Sequence, residues 1–200
     1  MTNGSPSRIL PALYGGNVDE ARRLAGAAPQ LDIFEAAGLG NAGAVRELLQ
    51  RTPSLARAVG ADGFTALHLA AFFGTPECVS ALLAAGADPA MPARNPMLVM
   101  PLHSAVSRRK AENVRVLLDA GAPVDARQQG GLTALHAAAH NGDRRVVTML
   151  LRRGADRAII DAAGKTAEQH ARDGGHEALA ALIGSDQRFT SESAEPARSP

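Results

Sequence analysis

Apolar residues in this chain come in clusters four positions apart, and the clusters recur. Ala44/Val45 is followed by Leu48/Leu49, Cys78/Val79 by Leu82/Leu83, Val114 by Leu117/Leu118, and Val146/Val147 by Leu150/Leu151. Residues three and four apart share one face of a helix, so each set predicts an amphipathic helix with one buried stripe. The phrases A-A-G-A-D (84–88), D-A-G-A-P (119–123) and R-R-G-A-D (152–156) close three of these helices. Their glycine accepts the left-handed backbone that ends a helix. A shorter, alanine-rich stretch precedes each stripe and predicts a second helix per unit, joined to the next unit by a loop containing Gly or Asn.

The alanine-rich stretch carries a repeated phrase. It reads T-A-L-H-L-A-A-F-F-G at 65–74, M-P-L-H-S-A-V-S-R-R at 100–109 and T-A-L-H-A-A-A-H-N-G at 133–142, with weaker copies at 31–40 and 166–175. The equivalent last residues are Gly40, Gly74, Arg109, Gly142 and Gly175, so the steps are 34, 35, 33 and 33 residues. A period of that size predicts stacked supersecondary units. Two short amphipathic helices cannot cover their own apolar face. Stacking removes that face from water, at roughly 25 cal/mol per Å² of apolar area. The ends have no neighbour and must depart from the pattern: the last copy places Glu168 and Gln169 where the middle copies have Leu-His. At the front, Gly16 lies only 24 residues before Gly40, which predicts a helical cap rather than a full unit. The expected organisation is a tail at 1–7, a repeat domain over 8–184 and a tail at 185–200. Within the domain the units fall at about 8–30 (cap), 31–60, 61–93, 94–127, 128–160 and 161–184 (cap).

These residues resemble the ankyrin repeat family. Its phrase G-x-T-P-L-H-x-A-A-x-x-G, followed by L-L-x-x-G-A-D, is matched by 63–74 with 82–88 and by 131–142 with 150–156. The copy at 98–109 departs from it at Leu98, Met100 and Arg109. The match is strong over about 61–183, fair over 31–60 and weak over 8–30, and it is similar to that of small bacterial ankyrin proteins. The resemblance implies an all-α solenoid of helix-turn-helix units with short β-hairpin-like fingers. It also implies binding of another protein by the fingers and inner helices, and it implies no chemistry.

Composition narrows the partners. Basic and acidic residues balance, 21 against 20, so no global field favours nucleic acid or an anionic membrane. The single cysteine, Cys78, excludes an internal disulfide framework and falls in an apolar helix slot, where a buried thiol is expected. The opening M-T-N-G-S-P-S-R lacks the form of a secretory leader, and no apolar run is long enough to span a bilayer. The expectation is a cytoplasmic monomer. Richness in Ala, Gly and Arg points to a bacterial source.

His68, His103 and His136 recur at 35 and 33 residues. A ladder of zinc ligands would need its nitrogens about 2 Å from one ion, whereas packed helices stand roughly 10 Å apart. These histidines are therefore expected to be structural, each imidazole bridging backbone groups of adjacent units. No carboxylate pair, nucleophile–base set or ligand cluster survives alignment of the repeats, so neither catalysis, cofactor nor metal is expected. Arg108-Arg109-Lys110 is too short a basic run for nucleic acid.

The finger at 89–101 stands out. It is two residues longer than its counterpart and carries four prolines, three methionines and the apolar run Met97-Leu98-Val99-Met100. Two accounts remain open: it packs against the neighbouring finger, or it offers an exposed, adaptable contact of the kind methionine suits. Variable inner positions beside it hold Phe64, Phe72 and Phe73, and the next finger holds Leu132. The expected partner-binding set is Phe64, Phe72, Phe73, Met97, Val99, Arg108, Leu132, His140 and Asn141. The partner is an unidentified protein. An adaptor, an inhibitor and a dedicated regulator or immunity protein of one enzyme all fit this set, and a small-molecule or metal-dependent enzyme fits least well.

Overall fold

The computed structural model describes residues 8–28 and 30–185; the tails expected at 1–7 and beyond Ser185 lie outside them. Among the described residues the chain forms six consecutive helix pairs. They are α1 (Ile9–Tyr14) with α2 (Val18–Ala27), α3 (Ile33–Leu39) with α4 (Ala42–Arg51), and α5 (Ala66–Phe72) with α6 (Pro76–Ala84). Then follow α7 (Pro101–Ser107) with α8 (Ala111–Asp119), α9 (Ala134–His140) with α10 (Arg144–Arg152), and α11 (Ala167–Asp173) with α12 (Glu177–Gly184). The short helices α3, α5, α7, α9 and α11 pack in series as an inner layer, and α4, α6, α8 and α10 pack behind them as an outer one. This is the all-α solenoid expected. The fingers hold only isolated bridges, Val59 to Thr65 and Ile160 to Thr166, rather than extended strands.

Local chemistry places each helix start. Thr65, Thr133 and Thr166 cap α5, α9 and α11, and Asp32 with Glu35 forms a reciprocal capping box on α3. Asn17, Asn41 and Asp143 accept from the first turns of α2, α4 and α10. Inner helices are thin because alanine faces the stack: Ala36, Ala37, Ala70, Ala71, Ala105, Ala138 and Ala139 are fully buried. Leu67, Leu82, Leu102, Leu117, Leu135 and Leu150 fill the space between layers. Gly74 lets two units touch, because a Cβ there would stand 2.5 Å from the Ala37 carbonyl oxygen. Arg109, the non-glycine of the series, still adopts a left-handed backbone at φ 54° and donates across the stack to the Asn141 carbonyl at 2.7 Å.

The fingers are linked edge to edge by backbone hydrogen bonds. The Arg94 N–H donates to the Gly63 carbonyl (2.8 Å), Gln129 to Met97 (3.0 Å) and Ala162 to Gly130 (2.8 Å). Histidines fasten the fingers to the helices. His68 Nδ1 accepts from the Thr65 N–H at 3.2 Å, which leaves the proton on Nε2 to donate to the Val99 carbonyl at 2.8 Å. His136 repeats the arrangement, with Nδ1 accepting from the Thr133 N–H at 3.1 Å and Nε2 donating to the Lys165 carbonyl at 3.2 Å. His103 departs from the expected pattern. It holds the Met100 N–H on Nδ1 at 3.3 Å, but its buried Nε2 meets no acceptor in hydrogen-bond geometry, although the Leu132 and Ala126 carbonyls of the next finger lie near enough to oppose its loss of charge. The bridge to the next unit is thus present at two of the three positions.

Two predictions follow from this packing. Leu117→Ala, at the centre of the interlayer space, should cost about 2–5 kcal/mol in urea unfolding; a loss below 1 kcal/mol would place that residue outside the core. Burial pushes His68 and His103 down to about 4, only partly opposed by the carbonyls around them. Unfolded histidine titrates near 6.5, so between about pH 6.5 and pH 4 the unfolded chain binds more protons than the folded one. Stability is therefore full above pH 6.5 and falls as the pH drops towards 4, by about 3 kcal/mol for each histidine at the limit. Urea midpoints at pH 7.5 and 4.5 should differ in that direction, and equal midpoints would contradict the neutral, buried assignment.

Candidate functional site

The inner layer and the fingers enclose an open groove of about 330 Å³. Its floor comes from consecutive residues at the end of α5. Phe72 and Phe73 meet edge to face with centroids 4.6 Å apart, and neither is fully buried. Phe64, at the base of the preceding finger, tilts against the His68 ring at 5.6 Å. Met97 reaches over from the longer finger, and Val99 lines the wall beneath it. Arg108 stands over the aromatic pair: its guanidinium lies 5.0 Å from the Phe72 centroid and 5.7 Å from that of Phe73. Such cation–π contacts are worth about 0.5–1 kcal/mol when exposed, enough to orient the side chain at the mouth.

The two accounts of the long finger each describe half of it. Its added residues make a tight turn, with Leu98 N–H donating to the Asn95 carbonyl at 3.1 Å and Leu98 forced to φ 50°. That turn holds Met97 and Leu98 in solvent, 52% and 51% exposed. Val99 then returns underneath and is buried, 8% exposed, with its carbonyl taken by His68. Val99 therefore follows the packed account and lines the groove wall, while Met97 and Leu98 follow the exposed one. The apolar run splits at Val99 because the Val99 carbonyl is hydrogen-bonded to the histidine below, which holds that residue in while the turn before it stays out.

The other expected residues lie next door. Leu132, His140 and Asn141 line a shallower depression of about 350 Å³ together with His136 and His170, and Ser107 borders both hollows. Eight of the nine residues therefore line two adjoining hollows rather than one patch, and Arg108 lines neither, standing over Phe72 and Phe73 instead. Tyr14, which the sequence reading passed over, completes the first. It comes from the end of α1, meets Phe73 edge to face at 5.6 Å, and donates its hydroxyl to the Asp62 carboxylate at the tip of the preceding finger. Partial burial and then Asp62 push the Tyr14 phenol well above its usual range.

The titratable and nucleophilic side chains in and near the groove are already engaged or buried. His68, the titratable ring in its wall, has both nitrogens engaged and is held neutral. Cys78 sits buried on α6 in the outer layer, where desolvation pushes its thiol up and away from the reactive thiolate. Among the described residues no group of three or more His, Cys, Asp or Glu side chains could hold a metal ion, and no helix is long and apolar enough to cross a membrane.

Paired helices in two layers, joined by latched fingers around an open groove, define a repeat protein of the solenoid class. The family model for ankyrin repeats in three copies matches residues 12–93, 33–128 and 102–193, and the chain belongs to the ankyrin repeat family. Ankyrin repeats are protein-interaction modules. The chain is 39% identical to the human B-cell lymphoma 3 protein over 101 residues, covering 48% of this chain and 22% of that protein. It is 34% identical over 156 residues to the Caenorhabditis elegans homologue of transient receptor potential cation channel subfamily A member 1, covering 78% and 13%. It is 40% identical over 98 residues to the Arabidopsis thaliana E3 ubiquitin-protein ligase KEG, covering 48% and 6%. The chain thus spans under a quarter of each of these relatives, and a channel and a ligase share the repeat, so the likeness carries neither activity. All three are eukaryotic, and the bacterial source expected from composition finds no support among them.

Tyr14 is the chain's one tyrosine and there is no tryptophan, so its ionisation is directly visible. Absorbance at 295 nm should show the folded protein's phenol titrating well above the ordinary value near 10. Asp62→Asn should bring it down towards that value. An ordinary titration in the unaltered protein would detach Tyr14 from the groove.

Proposed function

We propose that this chain is a non-catalytic binding module that holds a partner protein through the groove of Tyr14, Phe64, Phe72, Phe73 and Met97. The observation that carries the reading is a conflict with folding economy. Met97 and Leu98 are apolar, half exposed, and supported by a turn that forces Leu98 into a left-handed backbone. An exposed apolar pair on a strained loop does not help the chain fold, and such strain gathers where a loop has a task. Aromatic and methionine side chains lining a concavity are what interfaces use as anchors. A partner would insert one large apolar side chain into the groove, with Arg108 and Ser107 at its rim. Leu132, His140 and Asn141 extend the contact into the second hollow. Adaptor, inhibitor and regulator are all forms of this reading, which takes the chain as a cytoplasmic monomer with a single buried thiol.

Met97→Glu should fold like the parent, because exposed sites usually shift stability by under ~0.5 kcal/mol. It should also lose the partner that the unaltered protein recovers from its native cell extract. Phe73→Glu is a poorer probe, since Phe73 packs against both Tyr14 and the small core of the N-terminal cap and a charge there lowers stability as well. A Met97→Glu protein that folds and still retains its partner would remove the finger from the site.

A further inference from the structure

The outer layer carries a feature that the concave reading leaves unused. Helix α10 bears Arg144, Arg145 and Arg152, with Arg153 at its C-cap, and with Arg115 of α8 they line a shallow groove between the two helices, floored by Thr148 and Met149. Two carboxylates serve this cluster. Glu112 pairs with Arg115 (3.0 Å) and Arg145, and Asp119 pairs with Arg115 (2.9 Å) and Arg153. Five positive charges against two negative leave a surplus of three on this face. The whole chain carries only +1, so the remainder is at −2. Arg144 and Arg152 have no carboxylate partner among the described residues.

Arg144 is placed against the local electrostatics. It is exposed in the first turn of α10, where the helix dipole disfavours a cation, and it sits beside another arginine. Neither folding nor capping needs it, since Asp143 already accepts from the Val146 N–H at 3.0 Å. A residue that breaks a local rule with no structural return marks a functional position.

The geometry points to a second docking surface on the convex side, one that takes an acidic helical segment of a partner protein. Charge complementarity selects the acid, and the arrangement selects the helix. Arginines stand at both ends of α10, eight residues apart and therefore about 12 Å along the axis, with the Met149 side chain between them. A helix laid in the groove meets both ends with carboxylates seven or eight residues apart and sets an apolar residue on Met149. A single-stranded nucleic acid is a poorer fit, because this face has no aromatic side chain for bases to stack on. A membrane fits less well too: the large exposed apolar residues Tyr14, Val18, Met97, Leu98 and Ile160 all lie off α8 and α10. With the concave groove free at the same time, the chain would join two partners, as an adaptor does.

The test uses the full chain and a synthetic helix of about 15 residues built from Ala, Leu and Glu, with glutamates at the stated spacing. Binding is expected at low salt and weakens as salt rises. The Arg144→Ala/Arg152→Ala double variant should bind on the order of tenfold more weakly, the loss of two exposed ion pairs. Arg144→Ala alone should not lower the melting temperature, and Met97→Glu, on the other face, should bind the helix as the unaltered protein does. Equal binding of the same helix with glutamine for glutamate, or undiminished binding by the double variant, would overturn the proposal. Tighter capture of oligothymidine or of phosphatidylserine vesicles than of the acidic helix would overturn it as well.

Discussion

Everything in this structure depends on the inability of one unit to bury its own apolar face. Two helices of six to ten residues have no interior between them. Leu82, Leu117 and Leu150 lose contact with water only because the next pair closes over them. The inner helices must then approach so closely that alanine lines the interface and a Cβ at Gly74 would strike the neighbouring backbone. The fingers have almost no core, and they are held to this stack by backbone hydrogen bonds and by the buried imidazoles of His68 and His136. The latch works because the ring is neutral: one nitrogen accepts from its own unit while the other donates to the next.

That economy decides where function can reside. Residues at repeated positions are committed to stacking, and the binding proposed for this chain draws on those the stack does not need. Phe64, Phe72 and Met97 are such residues, set by rigid neighbours but not required by them. Their groove is largely apolar, and its titratable wall residues are already engaged: His68 is hydrogen-bonded through both nitrogens and Tyr14 through its hydroxyl. The same economy frees the outer face of α10, where arginines exceed the carboxylates that could pair with them.

Much of the fold was legible in the sequence because stacking writes the same demand once per unit. The four-residue spacing of leucines and valines gave the outer helices, the T-x-L-H phrase gave the inner ones, and glycines marked their ends. The site was legible only in part. Phe64, Phe72, Phe73 and Met97 stood out as scarce residues at variable positions, and they do meet. Tyr14 was hidden because it belongs to the irregular N-terminal step, where no repeat fixes the register that brings it to Phe73. Val99 could not be separated from its exposed neighbours because its burial depends on which carbonyl the histidine takes, a tertiary contact 31 residues away. The unbonded Nε2 of His103 has the same origin, since partner geometry across units is not written in the histidine itself.

The central claim is that each unit holds its neighbour's finger and little beyond it, and hydrogen exchange of single amides tests this most directly. In the unaltered protein the Ala93 and Arg94 amides, bonded to the Val99 and Gly63 carbonyls, should be protected. On His68→Ala they should exchange faster by more than the loss of global stability accounts for, while Ala138 in α9 should change only by that global factor. Unchanged protection at Arg94, or the same acceleration at Ala138 as at Arg94, would contradict the account.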